Sequence, residues 1–280
     1  MIVIESAGIT DRGKKRKANE DSLFLEDSMG LYVVADGMGG HLAGEVASKM
    51  VVDTMGDYVK SSQEKAEDEE PIYCHETLSK EANRLMSSIH LSNKVVHQAA
   101  RENNSYRGMG STVSAVYFTE GTFIAANVGD SPIYLIRDGN IKLLSVPHTV
   151  IAEQTALDPA NAERLGMEFR HVLTRAMGTE EYVKADIYEI QCFRDDILVI
   201  SSDGLSDKAS PEEIQQQVDG NGSDAACRRL VDLANDRGGD DNITAIVLKV
   251  KMVNNTPMKL KRVVALAKRI FYKITNKNKI

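Results

Sequence analysis

Cysteine is scarce in this 280-residue chain: Cys74, Cys192 and Cys227 are scattered and odd in number. No CxxC pair occurs, which leaves neither a zinc knuckle nor a disulfide framework to read. Long apolar runs are also missing, since none approaches the roughly 20 residues needed to span a bilayer. The N-terminus, MIVIESAGITDRGKKRK, lacks the order of charged, apolar and small-residue regions that marks a secretory signal. A reducing, cytoplasmic compartment is the expectation. Basic residues are short in the body. Residues 258–280 hold eight Lys or Arg and no acid, so the other 257 hold 26 bases against 41 acids, a balance of −15. A body of that charge is a poor nucleic-acid binder, because neutralising phosphates drives such binding. What remains is an ordinary globular composition, 42% hydrophobic and 27% charged, sized for one large domain or two modest ones.

Short apolar runs are plentiful. Residues 2–9, 22–26, 31–35, 111–118, 122–128, 132–137, 185–193, 197–200 and 242–250 read as strands, many joined by links too short for a parallel crossover. Helical spacing covers 41–60, 75–103, 211–218 and 223–236. Residues 61–76 are polar and acidic and read as a loop, while 148–170 read as loop plus a short helix. The order lacks a regular βαβ beat. It predicts an α+β domain of largely antiparallel sheets.

Four of the apolar runs meet an aspartate where a turn is expected: Asp36, Asp130, Asp203 and Asp241. Hard oxygen ligands at buried strand ends suit a hard divalent cation such as Mg²⁺ or Mn²⁺. Asp-Gly, found at Asp36-Gly37 and Asp203-Gly204, is also a common hairpin pair. Two details weigh against that reading. Asp36 leads into Gly37-Met38-Gly39-Gly40, more glycine than a two-residue turn needs, and Asp207 crowds Asp203. Carboxylates packed closely repel one another unless a cation joins them. Arg16, four residues before Glu20, supplies a planar fork suited to phosphate.

Nine motifs then occur in the order of a known family. They are TDRG (10–13), RKANEDS (16–22), VADGMGGH (34–41), AGEVAS (43–48), GMGST (108–112), NVGDS (127–131), LTRAMG (173–178), ISSDGL (200–205) and DDNIT (240–244). The chain resembles the metal-dependent type 2C (PPM) serine/threonine protein phosphatases, the bacterial branch above all, over residues 1–250. The resemblance implies a four-layer αββα sandwich of two largely antiparallel sheets flanked by helices. It implies two Mn²⁺ or Mg²⁺ ions, with a third bound weakly. By position Asp36 is the bridging ligand, the Gly37 carbonyl a further ligand, and Asp203 and Asp241 the clamp on the other ion. Asp130 serves the third metal, Glu20 and Asp21 act through water, Arg16 holds phosphate, and His41 is the candidate general acid.

The implied activity is hydrolysis of phosphoserine and phosphothreonine by a metal-bridging hydroxide, on protein substrates made by Ser/Thr kinases. The alternative is a catalytically inactive domain of the same fold that senses a partner. Pro132 and Pro147 depart from the bacterial pattern beside the site. A flap is expected at 149–168, an acidic surface insertion at 61–76, and a linker at 251–257. A monomer is expected. Beyond the linker, Leu260, Val263, Val264, Ala267, Ile270, Phe271 and Ile274 follow helical spacing with bases between them. That basic amphipathic pattern fits an anionic membrane face, an acidic protein or the acidic body itself.

Overall fold

The computed structural model describes residues 2–39, 43–64, 71–162 and 169–253. Two antiparallel sheets lie face to face. One has the order β1 (Ile2–Asp11), β11 (Ile243–Val253), β10 (Ile197–Ser201), β7 (Ile133–Arg137) and β8 (Asn140–Leu143). The other runs β2 (Asp21–Glu26), β3 (Leu31–Met38), β5 (Val113–Phe118), β6 (Thr122–Val128) and β9 (Asp186–Gln191), with the short β4 (Gly110–Ser111) on β3. The α+β sandwich expected from sequence is the fold observed.

The continuous apolar run of β3 follows from burial on both faces. Leu31, Val33 and Ala35 point to helices α1 (Ala43–Glu64) and α2 (Lys80–Glu102), whose Val51, Met55, Leu85 and Ile89 complete that layer. Tyr32 and Val34 point the other way, into a core between the sheets with Phe123, Leu198, Ile200 and Leu248. Beyond the first sheet, α6 (Pro211–Val218) and α7 (Ser223–Asp236) bury Ile214, Leu230 and Ala234 against Val199 and Val247. Cys227 packs in the same layer.

Several boundaries differ from the sequence reading, each for a local reason. Residues 61–64, expected within the acidic loop, belong instead to α1, which runs on to Glu64. Its last turn is held by Gln63, which donates to the Met29 carbonyl and the Tyr117 hydroxyl. Conversely, α2 starts at Lys80 rather than near His75, where the Ser79 side chain accepts the Ala82 N–H at 3.0 Å and caps it. β8 was not expected, being short and largely exposed at the sheet edge. Asp138 and Gly139 both take positive φ, 52° and 72°, the pairing a two-residue hairpin requires. β11 continues to Val253, so its last three residues lie within the expected linker. Residues 148–162 carry two short helices, α3 (Val150–Leu157) and α4 (Pro159–Ala162), and α5 (Asp203–Ser206) is a single turn.

Candidate active site

The four aspartates gather at one pole, two from each sheet. Asp36 comes from β3 and Asp130 follows β6. Asp203 follows β10, and Asp241 stands two positions before β11. Asp36 does not end its strand in a turn, since β3 continues through Gly37 to Met38. The two Asp-Gly glycines are required by close packing rather than by turn conformation. A Cβ on Gly37 would overlap the Gly44 carbonyl, and one on Gly204 would overlap that of Asn242.

A cavity of about 750 Å³ opens there, lined among others by Arg16, Glu20, Asp36, Gly37, Asp130, Asp203 and Asp241. The loop bearing Arg16 and Glu20 is fastened by Asn242. Its Nδ2 donates to the Arg12 and Ala18 carbonyls, both at 2.9 Å, and its Oδ1 accepts the Glu20 N–H at 2.8 Å. Asp36 and Asp130 are linked through hydroxyls: Thr112 Oγ1 accepts the Asp36 N–H at 3.0 Å and lies 2.8 Å from Ser131 Oγ. Asp21, opposite Asp36 in the ladder, is buried behind the cavity rather than on its wall. Its Oδ2 accepts from Ser202 and Thr244, at 2.7 and 2.6 Å.

The electrostatics of this pole call for cations. Burial, reinforced by Asp21, Asp203, Asp241 and Asp130, holds the Asp36 carboxyl well above the usual carboxylate range. Burial first, then the charge of Asp203, pushes Asp130 up to about 7, and burial does the same to Asp21. Glu20 and Asp207 are raised as well, each chiefly by burial. Oδ1 of Asp21 and Oδ1 of Asp203 are buried without a hydrogen-bond partner. Buried orphan carboxylate oxygens are costly, and an all-oxygen donor set with several acids fits Mg²⁺ or Mn²⁺. Arg16 brings a positive charge to the four aspartates, donating to Asp241 Oδ2 at 2.7 Å, with its side chain half-exposed.

Some participants were not foreseen. His171 sits with Nδ1 3.5 Å from Asp203 and Nε2 3.4 Å from Asp207. Arg175 lines the cavity and reaches Asp186 at 3.1 Å. His148 accepts the Gly129 N–H on its ring at 3.0 Å and meets Asp186 through Nε2 at 3.2 Å, bracing the turn that presents Asp130. Arg175 stands in a recognised motif, whereas His171 follows a stretch with no regular pattern, so nothing in the sequence marked it. His41, the candidate general acid, lies outside the described residues, as do 65–70, 163–168 and 254–280.

The chain belongs to the protein phosphatase 2C family, whose model matches residues 11–247. Among curated proteins, the serine/threonine phosphatase stp of Listeria welshimeri is 30% identical over 245 residues, covering 86% of this chain and 93% of its own length. Among solved structures, the Streptococcus agalactiae serine/threonine phosphatase matches with TM-score 0.74 at 30% identity, over 89% of this chain and all of that one. The catalytic domain of the serine/threonine phosphatase PstP, solved with two manganese ions, matches with TM-score 0.72 at 28% identity, over 90% of this chain and all of that one.

Proposed function

We propose that this protein dephosphorylates phosphoserine and phosphothreonine in protein substrates, by direct attack of water on phosphorus. The observation that carries the reading is the convergence of four aspartates from two sheets on a cavity that also holds Arg16. In this assignment Asp36, the Gly37 carbonyl, Asp203 and Asp241 hold two divalent ions. Glu20, on the cavity wall, and Asp21, buried behind it, would act through water. When bound, such ions supply Lewis-acid charge and lower the pKa of a coordinated water. The remaining work belongs to the chain. Arg16 spends one N–H on Asp241 and retains others for the non-bridging phosphate oxygens, fixing the phosphoryl group for in-line displacement. The proton for the departing serine or threonine oxygen is assigned to His41.

A cysteine nucleophile finds no support. Burial pushes the Cys192 and Cys227 thiols up to about 12, far from the thiolate such chemistry requires. The alternative of an inactive binding domain is opposed by the full complement of Arg16 and carboxylates. Hydrolysis of phosphoserine and phosphothreonine peptides with Mn²⁺, repeated with chelator and with Asp36→Asn and Asp203→Asn, tests the reading. Activity that survives chelation or both substitutions would overturn it.

The basic segment 258–280 we assign to contact with an anionic lipid surface or an acidic protein. β11 starts beside Asp241 and ends at Val253, so the chain leaves the sandwich at the pole away from the cavity. Co-sedimentation of the full chain and of residues 1–257 with anionic liposomes is the check; equal partitioning removes the lipid arm.

A further inference from the structure

We propose that His171 is a metal ligand, supplying a nitrogen donor to a cation held by Asp130 and Asp203. This rests on the metal-dependent reading above and goes beyond it, since that reading gave His171 no part. Asp130, His171 and Asp203 each offer one ligand atom, and the three atoms lie within 4.8 Å of one another. Ligands about 2.1 Å from a shared first-row ion stand roughly 3 to 3.5 Å apart, so small side-chain rotations close the set. His171 has the freedom for that: its side chain is half-exposed, and its two ring contacts are long, 3.5 Å to Asp203 and 3.4 Å to Asp207. Asp203 also keeps a buried Oδ1 without a hydrogen-bond partner.

The donor type carries a consequence for metal choice. Magnesium takes oxygen ligands in a strict octahedron and disfavours imidazole, whereas Mn²⁺ and later first-row ions accept it. The two assigned positions built on Asp36, Gly37, Asp203 and Asp241 are all-oxygen. The position at His171 is mixed, and it therefore selects Mn²⁺ over Mg²⁺ where the other two discriminate less. The mere ion pair makes the opposite forecast for removing the ring. If His171 acts only as a positive neighbour of Asp203 and Asp207, deleting it leaves the pole more negative and tightens cation binding.

The test is a Mn²⁺ titration of the full chain followed by electron paramagnetic resonance, with wild type, His171→Ala and His171→Glu. In the wild type a third, weaker Mn²⁺ shows ¹⁴N hyperfine coupling from an imidazole. In His171→Ala that coupling vanishes and the affinity of the weakest site falls by about tenfold or more, the other two sites holding. His171→Glu, an oxygen donor, restores a third site with a narrower preference for Mn²⁺ over Mg²⁺. A His171→Ala protein that binds the third Mn²⁺ as tightly or more tightly overturns the proposal, as does a third ion without nitrogen coupling in the wild type. Should the wild type bind no Mn²⁺ at all, the metal centre of the proposed function fails as well, and the two failures are thus told apart.

Discussion

Each pole of the sandwich carries an aspartate that matters to it, and the protein treats the two in opposite ways. At the pole away from the cavity, Asp196 is 1% exposed and fully matched. It accepts Nε and a terminal N–H of Arg137, both at 2.7 Å, and the Phe193 N–H at 2.7 Å. At the cavity pole, Asp36 faces Asp21, Asp130, Asp203 and Asp241 with one arginine among them, and orphan oxygens remain on Asp21 and Asp203. A carboxylate placed for stability is given its cation by the chain. One placed for chemistry is left short of charge, which is the condition for recruiting an ion from solution.

The largest test of this contrast is Asp36→Asn. Mn²⁺-dependent hydrolysis is expected to fall by about 10²-fold or more, in line with the loss of an electrostatic catalytic group. The chelated variant should melt no lower than chelated wild type, because a carboxyl crowded by four others has been removed. Equal loss of activity and of melting temperature would break the contrast. Next comes Arg137→Ala, which strands Asp196. Unfolding free energy should drop by about 3 kcal/mol or more, measured by urea denaturation, while turnover per folded molecule holds.

A smaller effect is expected of Arg16→Lys. The lost fork should lower kcat/KM for phosphopeptides by roughly 10- to 100-fold, the value of one or two charged hydrogen bonds, with Mn²⁺ affinity little changed. A last test is the pH response of the chelated protein. Asp21 and Asp130 titrate near 7 when folded, against about 3.9 in an unfolded chain. The native state therefore binds more protons between those values, and stability declines as pH rises from about 4 to about 7, then levels off. Melting temperatures from pH 4.5 to 8 should show that decline with chelator, and Mn²⁺ should flatten it. A decline of equal slope with Mn²⁺ present would mean that the acids do not hold the ion.

Much of this was legible in the chain because its signals are local. The strand that delivers Asp36 is apolar on both faces and announces itself, and α6 carries Ser210, Pro211 and Glu213 as a complete capping box. Asp130, Asp203 and Asp241 stand out by ending or preceding similar runs. Apart from β8, a local hairpin arm, the missed parts depend on partners distant in sequence. β8 has one half-buried apolar side chain at its centre and forms because Asp138-Gly139 folds it against β7. His148 is a lone histidine until Gly129 and Asp186 are brought to it. His171 gains meaning only from Asp130, 41 positions earlier, and from Asp203, 32 later. The reading of Asp36-Gly37 as a turn failed because β3 continues through it, and Gly44, at the start of α1, is what forbids a side chain there.

Asn242 joins the last strand to the loop at 12–20, and β11 pairs with β1 along its whole length. The first and last strands of the domain thus build one site, across more than 220 positions of chain. Contacts of that range form late, because closing so long a loop costs entropy before any contact rewards it. A nascent chain on the ribosome that has not yet released residue 242 has Arg16 and Asp36 in hand but lacks Asn242, which fastens the Arg16 loop, and the strand β11 beside Asp241. The Arg16 side of the site is therefore joined to the Asp241 side only after residue 242 has left the ribosome.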